Sequence, residues 1–103
     1  MRWIETLELR SISGEDPLKE IDLQTLVINM PLAGKPYLIL LCRHSNVEGD
    51  ICVHLLFDTD KVLPEGSEPG LQIKEVLQGA GLVSHKIWIE SKSFQVQGSP
   101  EIN

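Results

Sequence analysis

Two short runs of uninterrupted apolar residues constrain this chain more than anything else in it. They are Tyr37-Leu38-Ile39-Leu40-Leu41-Cys42, which leads into Arg43-His44, and Ile51-Cys52-Val53-His54-Leu55-Leu56-Phe57. Runs this short, bounded by turn signals, read as strands, and their lack of alternation reads as burial on both faces. The stretch between them, Asn46-Val47-Glu48-Gly49-Asp50, is a hairpin connection in which Gly49 can take positive φ. Strands are therefore expected over 37–44 and 51–57.

The remaining elements fall around this hairpin. Arg2 to Ile12 alternates loosely, with Trp3, Glu5, Leu7 and Leu9 on one face, and reads as a strand. Asp16-Pro17 is a good helix start, and Leu23, Leu26, Val27 and Met30 form one apolar stripe that Pro31 ends. Residues 31–36 form a Gly/Pro loop and 58–66 a polar one. Ser67 is a natural cap for a second helix with Glu68 and Pro69 in its first turn. Gly79 and Gly81 end that helix, and Gly81 suits a left-handed terminal residue. Leu82 to Glu90 alternates as a last strand. The order is β-α-β-β-α-β, the ferredoxin-like arrangement, an α+β fold with a four-stranded antiparallel sheet and two helices on one face. One domain is expected over 1–97, with 98–103 as a flexible C-terminal tail.

Composition excludes several function classes. Leu, Ile and Val make up 32 of 103 residues, which a disordered chain would lack. Two Cys are too few for a disulfide-stapled scaffold. No apolar run approaches the roughly 18 residues of a membrane helix, so no membrane partner is expected. Net charge is −6 and the nine Lys and Arg are scattered, which argues against nucleic acid. Glu5 and Glu8 stand where a secretory signal would be apolar, which points to a cytoplasmic location.

The two all-apolar strands ask for more cover than two helices on one face can give. A single copy would expose an apolar patch of several hundred Å², which soluble monomers rarely tolerate. A second copy packed sheet against sheet is the simplest cover, so a homodimer is expected.

Three stretches carry a family resemblance: Gly49-Asp50-Ile51-Cys52-Val53-His54-Leu55-Leu56, Gly66-Ser67-Glu68-Pro69-Gly70-Leu71, and Gly81-Leu82-Val83-Ser84-His85-Lys86-Ile87-Trp88-Ile89-Glu90. Together they resemble the dimeric α+β barrel proteins, ferredoxin-like dimers related to antibiotic biosynthesis monooxygenases and stress-responsive barrel proteins. The resemblance is narrowest to small bacterial members with no assigned activity. It covers residues 2–90 by element order and is sharper over 49–90. It implies the fold, the dimer and a cavity between the sheets. Family enzymes use an Asn in the first strand region with Trp or His partners. The first strand here has no Asn and the second helix no His, so the resemblance supplies no catalytic residue.

The most suggestive side chains are Cys42-Arg43-His44 and Cys52-Val53-His54, a Cys-x-His repeated across the hairpin. With a three-residue loop over 47–49, Cys42 would oppose His54 and His44 would oppose Cys52. Two thiolates and two imidazoles are a legitimate zinc or copper ligand set. Four ligands on one flat ribbon do not converge well on a tetrahedral centre, however, so no metal is favoured. A Cys42–Cys52 disulfide would need another register and an oxidising compartment. Candidate cavity residues are Trp3, Cys42, His44, Cys52, His54 and Trp88, with His54 and His44 the candidate proton acceptors. Glu5, Glu8, Asp58 and Asp60 read as solvated charges. Gly66 and Gly70 flank a helix start, where an anion can bind.

These features lead to a homodimeric module that holds a small apolar ligand or is purely structural, with no cofactor required. One alternative is a cofactor-independent, monooxygenase-like enzyme acting on a small apolar or aromatic substrate in the cavity. The other is a metal-binding hairpin. Catalysis is left open.

Overall fold

A computed structural model describes residues 1–12 and 34–98. The elements are β1 (Arg2–Ser11), β2 (Leu38–Arg43), β3 (Ile51–Asp58), α1 (Glu68–Gln78) and β4 (Gly81–Ile89). The helix expected over Asp16–Met30 lies outside the described residues, as do 31–33 of the following loop and 99–103 of the tail.

The sheet order is β2-β3-β1-β4, and every neighbouring pair is antiparallel. It follows that β1 runs parallel to β2 with β3 between them, and β3 parallel to β4 with β1 between them. Two interleaved split units of this kind are compatible with the ferredoxin-like arrangement. The described part is an α+β fold with a four-stranded antiparallel sheet and one helix packed across β1 and β4.

The core lies on the helix-bearing side. Trp3, Leu7 and Leu9 of β1 meet Ile51, Val53, Leu55 and Phe57 of β3, and Ile73 and Leu77 of α1 close over them. Trp3 and Phe57 are register partners whose rings stack with centroids 4.1 Å apart and planes 11° apart. The Trp3 indole N–H, the one polar atom this ring buries, donates to Thr59 Oγ1 at 2.8 Å.

Helix α1 begins as its sequence asks. Ser67 is extended (φ −78°, ψ 163°) and its hydroxyl accepts from Gly70 N at 3.1 Å. Its end differs from expectation. Gly79, in right-handed helical conformation, is the C-terminal cap, and Gly81 is the first residue of β4 without positive φ. Gly81 faces Arg10 and Ser11 so closely that a Cβ there would overlap their backbone. Close strand approach, not a left-handed turn, calls for glycine at this position.

The expected burial of 37–44 on both faces does not occur within one chain. β2 is an edge strand, and Leu38, Leu40 and Leu41 are 44%, 43% and 46% exposed. β3 is buried only at alternate residues, with Cys52, His54 and Leu56 half-buried on the other side. The apolar content of both strands is real, but among the described residues only the core side of β3 is covered, and Leu41 of β2, opposite buried Val53, is as exposed as Leu40 on the other side.

Phe57→Ala should remove the stacking partner of Trp3 and leave a cavity in the densest part of the core. A loss of about 3–5 kcal/mol in urea unfolding is expected, with loss of the near-ultraviolet Trp signal.

Candidate functional site

The face away from α1 is built by the even-numbered residues of β1 and their register partners. One row across the sheet is Leu38, Leu56, Ile4 and Trp88. The next is Leu40, His54, Thr6 and Lys86, and the third is Cys42, Cys52, Glu8 and Ser84. The face is therefore graded, wholly apolar at one end and mostly polar at the hairpin end. The sequence reads β2 and β3 as apolar throughout. The grading comes from β1, which lies inside the sheet and puts Thr6, Glu8 and Arg10 on this side, and from β4, which adds Lys86 and Ser84.

At the hairpin end an open groove of about 610 Å³ is lined by residues including Glu8, Arg10, Cys42, His44, Asp50 and Cys52. Of the candidate cavity residues, Cys42, His44 and Cys52 meet in this groove. His54 lies one row away, and Trp88, 57% exposed, stands at the apolar end. Trp3 is on the opposite side of the sheet, 1% exposed within the core.

The hairpin register differs from the expected one by two residues. Cys42 opposes Cys52, and His54 opposes Leu40. The cause is local. His44 Nδ1 accepts from both Asn46 N and Val47 N at 3.0 Å, while His44 N donates to Asp50 O at 2.9 Å. The loop therefore spans 45–49 rather than 47–49. A slip of two keeps every side chain on its face but changes every partner. The set Cys42, His44, Cys52 and His54 is not gathered as four ligands. Among the described residues no three His, Cys, Asp or Glu side chains are grouped to hold a metal ion.

What the register does bring together is a pair of free thiols with a neighbouring imidazole. Cys52 Sγ lies 3.2 Å from His54 Nε2. Burial, with the charges of Glu8 and Cys42 nearby, pushes the Cys52 thiol up to about 11. It is therefore protonated at neutral pH, in hydrogen-bond contact with His54. Cys42 is exposed.

A second cluster was missed by the sequence reading, which took Glu5 as a solvated charge. Glu5 is fully buried, at 0% exposure. Its carboxylate accepts from Ser67 N (3.1 and 3.2 Å), Ser67 Oγ (2.5 Å) and His85 Nε2 (2.6 Å). The anion suited to the start of α1 is thus the chain's own. Gly66 (φ +105°) and Gly70 leave the room, since a Cβ at Gly66 would lie 2.6 Å from Glu5 Oε2 and one at Gly70 would overlap the carboxylate. The carboxylate, not the imidazole, occupies the middle of this Ser–Glu–His chain. Ser67 donates its hydroxyl hydrogen bond to Glu5, accepts from Gly70 N and is 1% exposed, so no substrate reaches its oxygen and the cluster anchors α1 rather than forming a nucleophile. The signal was present in the sequence: Glu5 shares its face with Trp3, Leu7 and Leu9, and a capping Ser sits between two glycines.

The fold and this site define a small α+β domain with a sheet face that no described element packs across and a thiol–imidazole groove at one end. Comparison with protein-family models, curated proteins and solved structures finds no match to this chain.

Glu5→Ala leaves Ser67 and His85 without their shared acceptor and should cost about 3–5 kcal/mol in urea unfolding, more than Glu5→Gln, which keeps an acceptor oxygen. For the thiols, iodoacetamide at neutral pH should label Cys42 well before Cys52. The Cys52 rate should keep climbing as pH rises toward about 11, which peptide mapping would follow. The sign for stability is the matching one. The raised thiol favours the fold below the unfolded-state value of 9.0, and that contribution is lost as pH rises through the folded value.

Proposed function

We propose that this chain is a homodimeric α+β barrel module of the ferredoxin-like βαββαβ kind, pairing open sheet face to open sheet face around a space for a small, mostly apolar ligand. The observation that carries this reading is the row Leu38, Leu56, Ile4 and Trp88, continued by Leu40. In it Leu38, Leu40 and Trp88 are each more than two-fifths exposed. Residues 91–98, which follow β4, are themselves exposed. An apolar half-face on a twisted sheet is self-complementary under a two-fold axis, and pairing would remove it from water in both copies. The row of His54, Thr6 and Lys86 beside it supplies hydrogen-bonding groups at the edge of the enclosed space, the usual make-up of a small-molecule site.

Neither candidate base favours the monooxygenase-like alternative. His44 Nδ1 is occupied by two turn amides and His54 by Cys52. The module reading therefore assigns binding without chemistry on the ligand.

Sedimentation equilibrium tests the pairing. The wild type should run at twice the chain mass of 11.5 kDa. Leu38→Glu and Trp88→Glu replace side chains already exposed in one copy, so each should yield a folded monomer. A wild type that stays at the chain mass on concentration sinks the reading. A thermal-shift screen of small aromatic metabolites tests the ligand. One present at about a hundred times its Kd should add about 2.7 kcal/mol to the wild type and far less to Trp88→Glu.

A further inference from the structure

We propose that Cys42 and Cys52 are a two-electron redox site, in which Cys42 is oxidised by a hydroperoxide and Cys52, with His54 beside it, resolves the product into a reversible cross-strand disulfide. This goes beyond the binding reading and does not rest on it.

Position comes first. Cys42 and Cys52 are direct register partners, and both point to the open face. His44 N donates to Asp50 O, which makes that pair hydrogen-bonded. Pairs of one kind recur every two residues, so Cys42 and Cys52 are hydrogen-bonded partners too. Their Cα atoms are then about 5.5 Å apart, inside the range of roughly 4.4–6.8 Å that a disulfide spans. Cβ atoms in such a pair stand wider than the ideal for a bridge, so closure must draw β2 inward. As an edge strand, β2 is held on one side only and can move. A bridge closed against that pull is readily reduced, which suits a switch rather than a permanent staple.

Chemistry then separates the two thiols. Cys42 is exposed at the groove, where a hydroperoxide can reach it. Cys52 is half-buried and keeps its proton, so it is a poor first nucleophile. Its Sγ is 3.2 Å from His54 Nε2, a base placed to receive that proton. In the first step the Cys42 thiolate attacks the hydroperoxide. An S–O bond forms, the O–O bond breaks, and the leaving oxygen takes up the proton that Cys42 released on ionising and departs as alcohol (or water, from hydrogen peroxide), giving a sulfenic acid. In the second, Cys52 sulfur attacks Cys42 sulfur as its proton passes to His54. The S–S bond forms, the S–O bond breaks, and hydroxide leaves as water on taking that proton. Two thiols lose two electrons and two protons, and the hydroperoxide is reduced to alcohol and water. A small-molecule dithiol reverses the change.

The test is intact-mass and peptide analysis of the full chain titrated with hydrogen peroxide. Both thiols should disappear together with the loss of two hydrogens. One linked peptide pair should join Cys42 to Cys52 within a single chain, and dithiothreitol should restore both. Cys52→Ser should stop at a dimedone-trappable sulfenic acid on Cys42, and Cys42→Ser should leave Cys52 reduced at the same dose. His54→Gln should slow closure roughly tenfold or more while leaving the first oxidation unchanged. Three results overturn the proposal, and each is read on the wild type, so none depends on a variant folding. They are sulfinic acid on Cys42 with Cys52 still a thiol, a disulfide only between copies, and no oxidation at a dose that oxidises N-acetylcysteine.

Discussion

The alternation of β1 governs both sides of this sheet. β1 is hydrogen-bonded to β3 over residues 2–9 and to β4 over 3–11. With both edges committed, its side chains have only the two faces left. Odd positions go to α1 as Trp3, Glu5, Leu7 and Leu9, and even positions go to the open side as Ile4, Thr6, Glu8 and Arg10. The register then passes this division to β3 and β4. The buried core and the graded open face are two readings of one ten-residue strand.

Glu5 shows how the core tolerates a charged group at all. A carboxylate without partners would be expelled from such a place. Here the first turn of α1 supplies an amide and a hydroxyl, and His85 reaches in from β4. The same contact joins β1, the α1 start and β4, pieces of chain 62 and 80 residues distant from Glu5. It fixes where the helix begins on the sheet, and the two glycines beside it are there because nothing larger fits.

For the described residues, element identity was legible in the sequence and the hairpin pairing was not. Strand patterning, the Ser67 cap and the positive φ of Gly49 follow from local chemistry, which neighbouring residues decide. The hairpin register hinged on an imidazole folding back on its own turn, and a Cys-x-His repeat gives no hint that His44 would serve the loop rather than a ligand set. Edge and centre were likewise invisible. β2 and β3 have nearly the same composition, yet β3 is sandwiched and β2 is not. Glu5 was misjudged by reading charge as exposure, when its position among apolar residues of one face carried the opposite message.

The placement of β1 also sets when this molecule can form. Its partners arrive late in the chain, first at residues 51–58 and then at 81–89, so the earliest strand waits for almost the last. Every stabilising ladder of β1 closes a loop of some forty residues or more, and such topologies fold more slowly than helical domains of equal size. During synthesis the apolar side of β1 is without its sheet until β3 is made, and the Glu5 carboxylate lacks His85 until β4 is made. A chain cut short before residue 81 would have a core strand with one open edge and a carboxylate missing one of its donors. Such a chain meets the conditions for aggregation rather than for a smaller fold.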